Sequence, residues 1–243
     1  MALSQKEIKL IRSLHFKKYR KQYNLFVAEG KKLVEDLLQS DLRPFRLLTT
    51  LPTEVLTYEL IDERIMKSLS KFESPSTHMG VFHMPPLYTL ETFRPKRFFA
   101  LHALQDPGNL GTILRSLDWF GPIPVVIFTG TVDPFSPKVV QASMGSVGRV
   151  PMIKSDYSTL HQYLKKEKIP LIAAHMSGRP IAKCSLDDRL CLVIGNEGQG
   201  LTDFPLLPDE VISIPPSPHT KAESLNAAVS VGILAYHLFS TTR

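Results

Sequence analysis

Cysteine is scarce in this sequence, and the common metal-binding patterns of cysteine and histidine are missing. The two cysteines, Cys184 and Cys191, form no CxxC pair, and the eight histidines include no HExxH. We therefore expect neither a disulfide framework nor a bound metal, and we interpret both thiols as reduced.

Long apolar runs are missing as well. A membrane-spanning helix needs about twenty consecutive apolar residues, and a secretory signal needs an apolar core after its basic start. The first residues, MALSQKEIKLIRSLHFKKYRKQY, are basic but contain no such core. Neither membrane insertion nor secretion is indicated, so the cytoplasm is the expected compartment.

The two most common glycine motifs for nucleotides are also absent. The thirteen glycines include no GxGxxG and no GxxxxGK[ST]. A dinucleotide site of the Rossmann type and a phosphate-binding P-loop are therefore excluded.

Apolar patterning predicts a small α/β domain at the N-terminal end. Ser4 and Glu7 have the spacing of a capping box, so we expect a helix from Ser4 to about Gln22. Strands are predicted over 25–28, 45–49 and 81–84, and helices over 30–40 and 63–70. Residues 1–84 are predicted to form this domain. The segment 85–96, with three prolines and no periodicity, is predicted to be a linker.

The alternation continues through residues 97–243. Strands are predicted over 98–104, 125–128, 150–153, 171–174, 190–194 and 211–214, with helices over 110–120, 136–143 and 158–167 and a last helix capped by Ser224. Strands that alternate with helices are typical of a parallel sheet covered on both faces. The expected fold class is therefore α/β.

A glycine-rich segment follows one of the predicted buried strands. It reads Gly195, Asn196, Glu197, Gly198, Gln199, Gly200. The next strand ends at Pro215, and the last helix starts shortly afterwards. Two strand ends and a helix start can thus form one crevice, where open parallel sheets bind their ligands. A plain chain reversal is the alternative interpretation of the glycines.

Positive charge is concentrated at the N-terminal end. Residues 1–32 contain nine lysines and arginines against two glutamates, although the whole chain has a net charge of only +6. A basic surface interleaved with aromatic residues is typical of RNA binding. The candidate RNA-binding residues are Lys17, Lys18, Arg20 and Lys21, with Phe16, Tyr19 and Tyr23 between them. A solvated helix face is the alternative.

A second polar constellation, Asp106 to Gly111, lies between a predicted strand and a predicted helix. Asn109 is expected near the N-cap of this helix, and Arg115 is expected on its second turn. An amide and an arginine at such a position favour an anion. A capping asparagine and an ordinary surface arginine are the alternative.

Three motifs occur in a specific order: DPGNLGTILRSLDWFG, IGNEGQGL, and an Ile-Pro followed by SLNAAVSVG. They resemble the motifs of the SpoU (TrmH-like) family of RNA ribose 2′-O-methyltransferases, within the SPOUT superfamily. The resemblance covers residues 98–238, and the N-terminal part resembles the small substrate-binding domain of many members. It implies S-adenosylmethionine as cofactor, RNA as substrate, a trefoil knot in the parallel-sheet domain and a homodimer with its active sites at the subunit interface.

The resemblance also implies roles for particular residues. The cofactor contacts correspond to Gly195, Ile214 and Leu225, largely through backbone groups, with Asn196 and Gly200 beside them. The catalytic positions correspond to Asn109, Arg115, Glu197, Ser224 and Asn226. A ribose hydroxyl is a poor nucleophile while it is protonated. Arg115 is expected to hold a phosphate or the forming oxyanion. Glu197 is expected to orient Arg115 or to act as the base, and the other three to position groups.

The loop PPSPHTKAE, residues 215–223, departs from the family pattern because it is longer and richer in proline. It could shift Ile214 and Leu225 relative to the cofactor. His219 and Lys221 within it are either RNA contacts or ordinary exposed residues. The predicted function is ribose methylation of RNA, with rRNA favoured over tRNA. A non-catalytic RNA-binding protein and a base methyltransferase of the same superfamily are the alternatives.

Overall fold

The computed structural model describes residues 3–52, 57–196 and 198–239. The chain forms two compact units. The first comprises Met1–Pro86 and Asp133–Arg149, and the second comprises Leu87–Val132 and Val150–Arg243. The mixed α/β fold class predicted from the sequence is confirmed.

The first unit contains a sheet flanked by helices. Its elements from the N-terminal segment are α1 (Gln5–Ser13), α2 (Lys17–Tyr23), β1 (Leu25–Glu29), α3 (Lys31–Gln39), β2 (Pro44–Thr49), β3 (Glu59–Leu60), α4 (Glu63–Leu69) and β4 (His78–His83). The strand order is β1-β4-β2-β3, in which β4 runs antiparallel to both of its neighbours and β3 runs parallel to β2. The rings of Phe26 and Phe82 stack 5.8 Å apart within the core of this unit.

The predicted helix from Ser4 to Gln22 is wrong in one respect. The capping box of Ser4 and Glu7 is present, but α1 ends at Ser13 and a separate helix begins at Lys17. The connection is held by hydrogen bonds that a continuous helix would not make. The guanidinium of Arg20 donates to the carbonyls of Leu14 and His15, at 2.8 and 2.9 Å. Packing and polar contacts therefore override helical periodicity here.

The second unit contains a wholly parallel sheet. Its elements are α5 (Leu90–Phe93), β5 (Arg97–Leu101), α6 (Pro107–Trp119), β6 (Val125–Phe128), β7 (Met152–Ser155), α8 (Tyr157–Glu167), β8 (Leu171–Pro180), β9 (Leu190–Ile194), β10 (Glu210–Ser213) and α9 (Ala227–Phe239). The strand order is β10-β8-β9-β5-β6-β7. Every residue of β9 is buried, as expected of a central strand covered on both faces.

One helix of the first unit comes from the middle of the chain. Helix α7 (Pro137–Ser143) packs against β1, and the short 3₁₀ helix Ser146–Gly148 follows it. The ring of Phe135 lies 5.2 Å from that of Phe26, which belongs to the same core. The predicted domains at 1–84 and 97–243 assumed contiguous segments, whereas here residues 133–149 pack with the N-terminal unit.

The predicted linker at 85–96 contains regular structure. Thr89 caps α5 with a capping box closed by Thr92, and Leu90 is buried in the second unit. Tyr88 also pairs with Ile153 in a β-bridge. The prolines at both ends concealed this short helix, because four residues are too few to show a helical period.

Strand β5 ends three residues before the predicted end at Leu104. Ala103 has a φ of 49°, in the left-handed region, and this breaks the extended backbone. No helix in the described residues is long and apolar enough to cross a membrane.

Candidate active site

A cleft of about 630 Å³ lies in the second unit, where β9 and β10 end. Its volume falls within the usual range for small-molecule sites. Three segments supply most of its lining: 174–176 of β8, the glycine-rich loop after β9, and the chain from Ile214 to the start of α9. Ile194, Ile212, Ser230 and Leu234 complete it. The crevice predicted from the strand ends is therefore present. Ser224 and the five predicted cofactor residues, Gly195, Asn196, Gly200, Ile214 and Leu225, are among its lining residues.

The glycine-rich loop closes on itself. The backbone NH and C=O groups of Asn196 and Gly200 exchange two hydrogen bonds of 3.1 Å. The Oδ1 of Asn196 accepts from the amides of Gly198 and Gln199, at 2.9 and 2.6 Å. The side-chain oxygen of Asn196 is thus used inside the loop, which forms a braced wall of the cleft.

Gly195 has to be glycine because the loop folds back onto it. A Cβ atom at this position would lie 2.1 Å from the carbonyl oxygen of Gly200. Gly200 itself has a φ of 60°, a conformation that favours glycine. Gly195 and Gly200 both line the cleft, where the sequence predicted cofactor contacts through backbone groups.

The proline-rich loop 215–223 forms another wall of the cleft. It is exposed along its length, and Pro215, Pro216, Ser217, Thr220, Ala222 and Glu223 line the cavity. Its greater length does not remove Ile214 or Leu225 from the cleft, since both line it together with Gly195.

Two of the predicted catalytic residues are in direct contact. The Nδ2 of Asn226 donates a 2.9 Å hydrogen bond to the Oδ1 of Asn109. The Oδ1 of Asn226 accepts from the amides of Ala228 and Val229, at 2.9 and 3.2 Å. Asn226 therefore caps α9, and the prediction that Ser224 does so is wrong. The first and third motifs are joined by this one side chain.

Asn109 is held by the start of α6, although not as its N-cap. That position belongs to Asp106, whose Oδ1 accepts from the amide of Asn109 at 2.7 Å, with Pro107 as the first helical residue. Proline is favoured there because it has no amide hydrogen to leave unpaired. The sequence contained this signal in Asp106 and Pro107, and the predicted helix start at residue 110 overlooked it.

The remaining predicted catalytic residues are less closely connected. Arg115 is exposed on α6, and Ser224 is exposed where it lines the cleft. Glu197 lies outside the described residues, so the predicted relationship between Glu197 and Arg115 stays a prediction.

The predicted RNA-binding residues divide into two groups. Lys17, Lys18 and Lys21 are exposed on α2. Arg20 is 3% exposed, and its guanidinium binds Asp133 at 2.5 Å as well as two backbone carbonyls. Arg20 is thus a structural residue of the first unit, and the prediction that it contacts RNA is wrong. Sequence pattern could not reveal this, because its partner Asp133 is distant in the chain.

Aromatic side chains accompany the exposed lysines. The rings of Tyr19 and Tyr23 stack with their centroids 6.4 Å apart, and Nζ of Lys18 lies 5.8 Å from the centroid of Tyr19. Phe16, at the start of α2, is 60% exposed. The helix therefore presents both charge and ring faces to solvent.

Sequence reasoning overlooked an aromatic cluster beside the cleft loop. His102, just after β5, makes a 2.8 Å hydrogen bond to the hydroxyl of Tyr157, and the ring of Phe204 packs edge-on against it. Burial lowers the pKa of His102 and so favours the neutral form of its ring. Phe204 follows the glycine-rich loop closely in the chain, and it packs against the core of the second unit. The described residues contain no group of three or more metal-ligating side chains.

The profile of the SpoU rRNA Methylase family matches residues 96–236, and that of the MRM3-like substrate binding domain matches residues 5–80. The chain belongs to the SpoU family, and the resemblance noted in the sequence is confirmed.

Individual relatives cover nearly the whole chain. The 23S rRNA (guanosine(2553)-2′-O)-methyltransferase RlmP of Bacillus subtilis is 32% identical over 240 residues, which cover 96% of this chain and 95% of that protein. The structure of a TrmH-family protein from Porphyromonas gingivalis matches all of both chains with 32% identity and a TM-score of 0.83. The AdoMet-bound rRNA methyltransferase from Sinorhizobium meliloti is 27% identical, with a TM-score of 0.85 over 100% of this chain and 97% of that one.

Proposed function

We propose that this protein transfers a methyl group from S-adenosylmethionine to a ribose 2′-hydroxyl of rRNA. The observation that carries the proposal is the convergence of three separate motifs. The glycine-rich loop and the Ile214–Leu225 segment line one cleft, and Asn226 links the end of that segment to Asn109. The near full-length similarity to an rRNA 2′-O-methyltransferase supports rRNA as the substrate.

The cleft fits S-adenosylmethionine in its chemistry. Ile194, Ile212 and Leu234 supply apolar surface, while the glycine-rich loop and Ser217, Thr220 and Ser224 supply polar groups. Such a mixture of apolar surface and a few fixed polar groups is typical of sites for a nucleoside-containing ligand. When bound, S-adenosylmethionine supplies an electrophilic methyl group.

The chain's own residues have to prepare the hydroxyl. Asn226 is held at both ends of its amide, by Asn109 and by the first turn of α9, so it can position a ribose or phosphate oxygen without reorganising. Arg115 carries a permanent positive charge that stabilises a phosphate or the forming alkoxide. Ser224, on the cleft wall, is assigned to positioning, and Glu197 to orienting Arg115 or accepting the proton.

We assign RNA capture to α2 of the first unit. Lys17, Lys18 and Lys21 supply phosphate contacts, and Phe16, Tyr19 and Tyr23 supply faces on which unpaired bases stack. The match of residues 5–80 to a substrate binding domain supports this assignment.

A homodimer is proposed through the second unit. Val229, Ile233 and Tyr236 form an exposed apolar stripe on α9, with exposures of 50%, 39% and 63%, and Trp119 at the end of α6 is 84% exposed. An apolar surface of this kind marks an interaction site on a soluble protein. Sedimentation of the full chain should give a dimer, and Ile233→Asp should give a monomer. A wild-type monomer with full activity would contradict the proposal.

We also propose that the protein is cytoplasmic and that its C-terminal segment is knotted. The chain returns from edge strand β10 past the glycine-rich loop, so both segments line one cleft before α9 packs on α6. This path is consistent with a threaded C-terminus.

The decisive experiment uses RNA from cells that lack the gene. Purified protein and methyl-labelled S-adenosylmethionine are added, and nuclease digestion with mass spectrometry locates the label. We expect a 2′-O-methylated nucleoside in the rRNA fraction. Label on a base would identify a base methyltransferase, and RNA binding without any transfer would identify a non-catalytic protein. Label confined to tRNA would overturn the choice of rRNA.

A further inference from the structure

The charge of the cleft is unevenly distributed. Among the described residues that line it, Glu223 is the only carboxylate, and His175 is the only other titratable side chain. The remaining lining residues are apolar, small or neutral. Glu223 is therefore the carboxylate of the described lining that can interact with a charged ligand.

Glu223 has a defined position within the cleft. It directly precedes Ser224, which also lines the cavity, and it lies three residues before Asn226, which contacts Asn109. These neighbours belong to the proposed reaction centre. Glu223 therefore belongs to the same segment of the cleft wall as residues of the proposed reaction centre.

The proposed reaction removes the positive charge of the sulfonium group of S-adenosylmethionine. The methyl group moves from sulfur to the ribose O2′, the hydroxyl proton passes to a base, either Glu197 or water, and the sulfonium becomes a neutral thioether. The amino acid and adenosine portions of the ligand keep their charges. A carboxylate beside the sulfur consequently distinguishes the substrate form from the product form by charge alone.

We infer that Glu223 is a specificity-determining residue that favours S-adenosylmethionine over S-adenosylhomocysteine, so that product release is assisted by the loss of the sulfonium charge. This inference rests on the proposed methyltransferase function. Glu223 is exposed, so water and salt screen its charge and the effect is modest. A unit charge at about 4 Å in a largely aqueous environment changes affinity by about fivefold.

Equilibrium calorimetry without RNA tests the inference through three ligands. S-adenosylmethionine and sinefungin both carry a positive centre near the reacting position, whereas S-adenosylhomocysteine does not. Glu223→Gln should weaken the first two by about fivefold and leave the third unchanged. Glu223→Asp, which keeps the charge, should retain most of the preference. Lys221→Gln changes a charge on the same loop at a residue outside the cleft lining, and it should leave the preference intact.

Other results would overturn the inference. If Glu223→Gln weakened all three ligands equally, the carboxylate would contact a group that the ligands share. If Glu223→Gln changed the affinity for none of the three ligands, the carboxylate would not contribute to ligand binding. Failure of the wild type to bind any of the three would instead refute the proposed cofactor, and is thereby distinguishable from failure of the role of Glu223.

Discussion

Asn226 donates a 2.9 Å hydrogen bond to Asn109, a residue 117 positions earlier in the chain. The same amide caps α9 through its oxygen. One side chain thus serves both the stability of a helix and the geometry of the proposed reaction centre, and the two roles use different atoms. Substitutions can therefore separate them.

Asn226→Asp should preserve stability and impair methyl transfer. The carboxylate still accepts from the first turn of α9, where negative charge is favourable. It cannot donate to Asn109. We expect an unchanged or higher melting temperature and a single-turnover rate lowered about tenfold or more, which is at least ~1.4 kcal/mol of transition-state stabilisation. Asn226→Ala should lower stability by about 1 kcal/mol as well. Full activity in Asn226→Asp would show that the contact is only structural.

Arg115→Ala should separate cofactor binding from chemistry. Arg115 is exposed on α6 and is not among the residues that line the cleft, so affinity for S-adenosylmethionine should survive. Removal of one preorganised charge-stabilising donor slows catalysis on the order of 10²- to 10³-fold. Arg115→Lys should restore little, because a point charge lacks the planar fork of guanidinium. Near wild-type transfer by Arg115→Ala, measured with saturating RNA, would remove Arg115 from the mechanism.

Gly195→Ala should damage the cleft, and Gly198→Ala provides a matched control in the same loop. An added Cβ at Gly195 would lie 2.1 Å from a backbone oxygen, whereas at Gly198 the nearest atom is 3.9 Å away. Overpacking of about 1–3 kcal/mol should weaken cofactor binding about tenfold or more in the first variant and hardly at all in the second. If calorimetry gave equal cofactor affinities for the two variants, the loop would accommodate the added methyl group at little energetic cost.

The exposed lysines of α2 and the buried Arg20 should respond differently to substitution. Replacement of Lys17, Lys18 and Lys21 by Gln should flatten the salt dependence of RNA binding by about 0.7 to 0.9 in slope for each phosphate that is no longer neutralised. The free energy of unfolding should hardly change. Arg20→Gln should lower it by about 3 kcal/mol, because Asp133 loses its partner in a largely buried pair. An unchanged salt slope in the lysine variant would contradict an RNA-binding role for α2.

Acid should selectively weaken the start of the first unit through Glu7. Hydrogen bonds from the side chain and backbone of Ser4, and the guanidinium of Arg46, lower the pKa of Glu7 from 4.5 to about 2. The folded state therefore favours the ionised form, which adds stability above pH 4.5 that is lost as the pH falls toward 2. Glu7→Gln should be less stable than wild type at pH 7, and the difference in urea unfolding should shrink at pH 3. A constant difference would exclude this linkage.

Local sequence determined much of this protein. The order of strands and helices in the second unit follows from hydrophobic periodicity, and the capping box at Ser4 follows from a four-residue pattern. The strands Val125–Phe128 and Leu190–Ile194 have the predicted bounds, because buried apolar runs between turn residues have few alternatives. The family and the position of the cleft could also be predicted from the sequence, because the Gly195–Gly200 loop and the start of α6 are each formed by a contiguous motif.

Only the tertiary structure decided the features that depend on distant partners. In the sequence, Arg20 cannot be distinguished from the lysines beside it. In the structure Arg20 is buried, and its guanidinium binds Asp133 and two backbone carbonyls. Residues 133–149 pack with the N-terminal unit because Phe135 reaches Phe26, a contact with no local signature. Asn226 rather than Ser224 caps α9, and the same side chain bonds to Asn109. In each case a long-range hydrogen bond or ring contact outweighs the modest energy of local preference, which is why local pattern alone could not predict it.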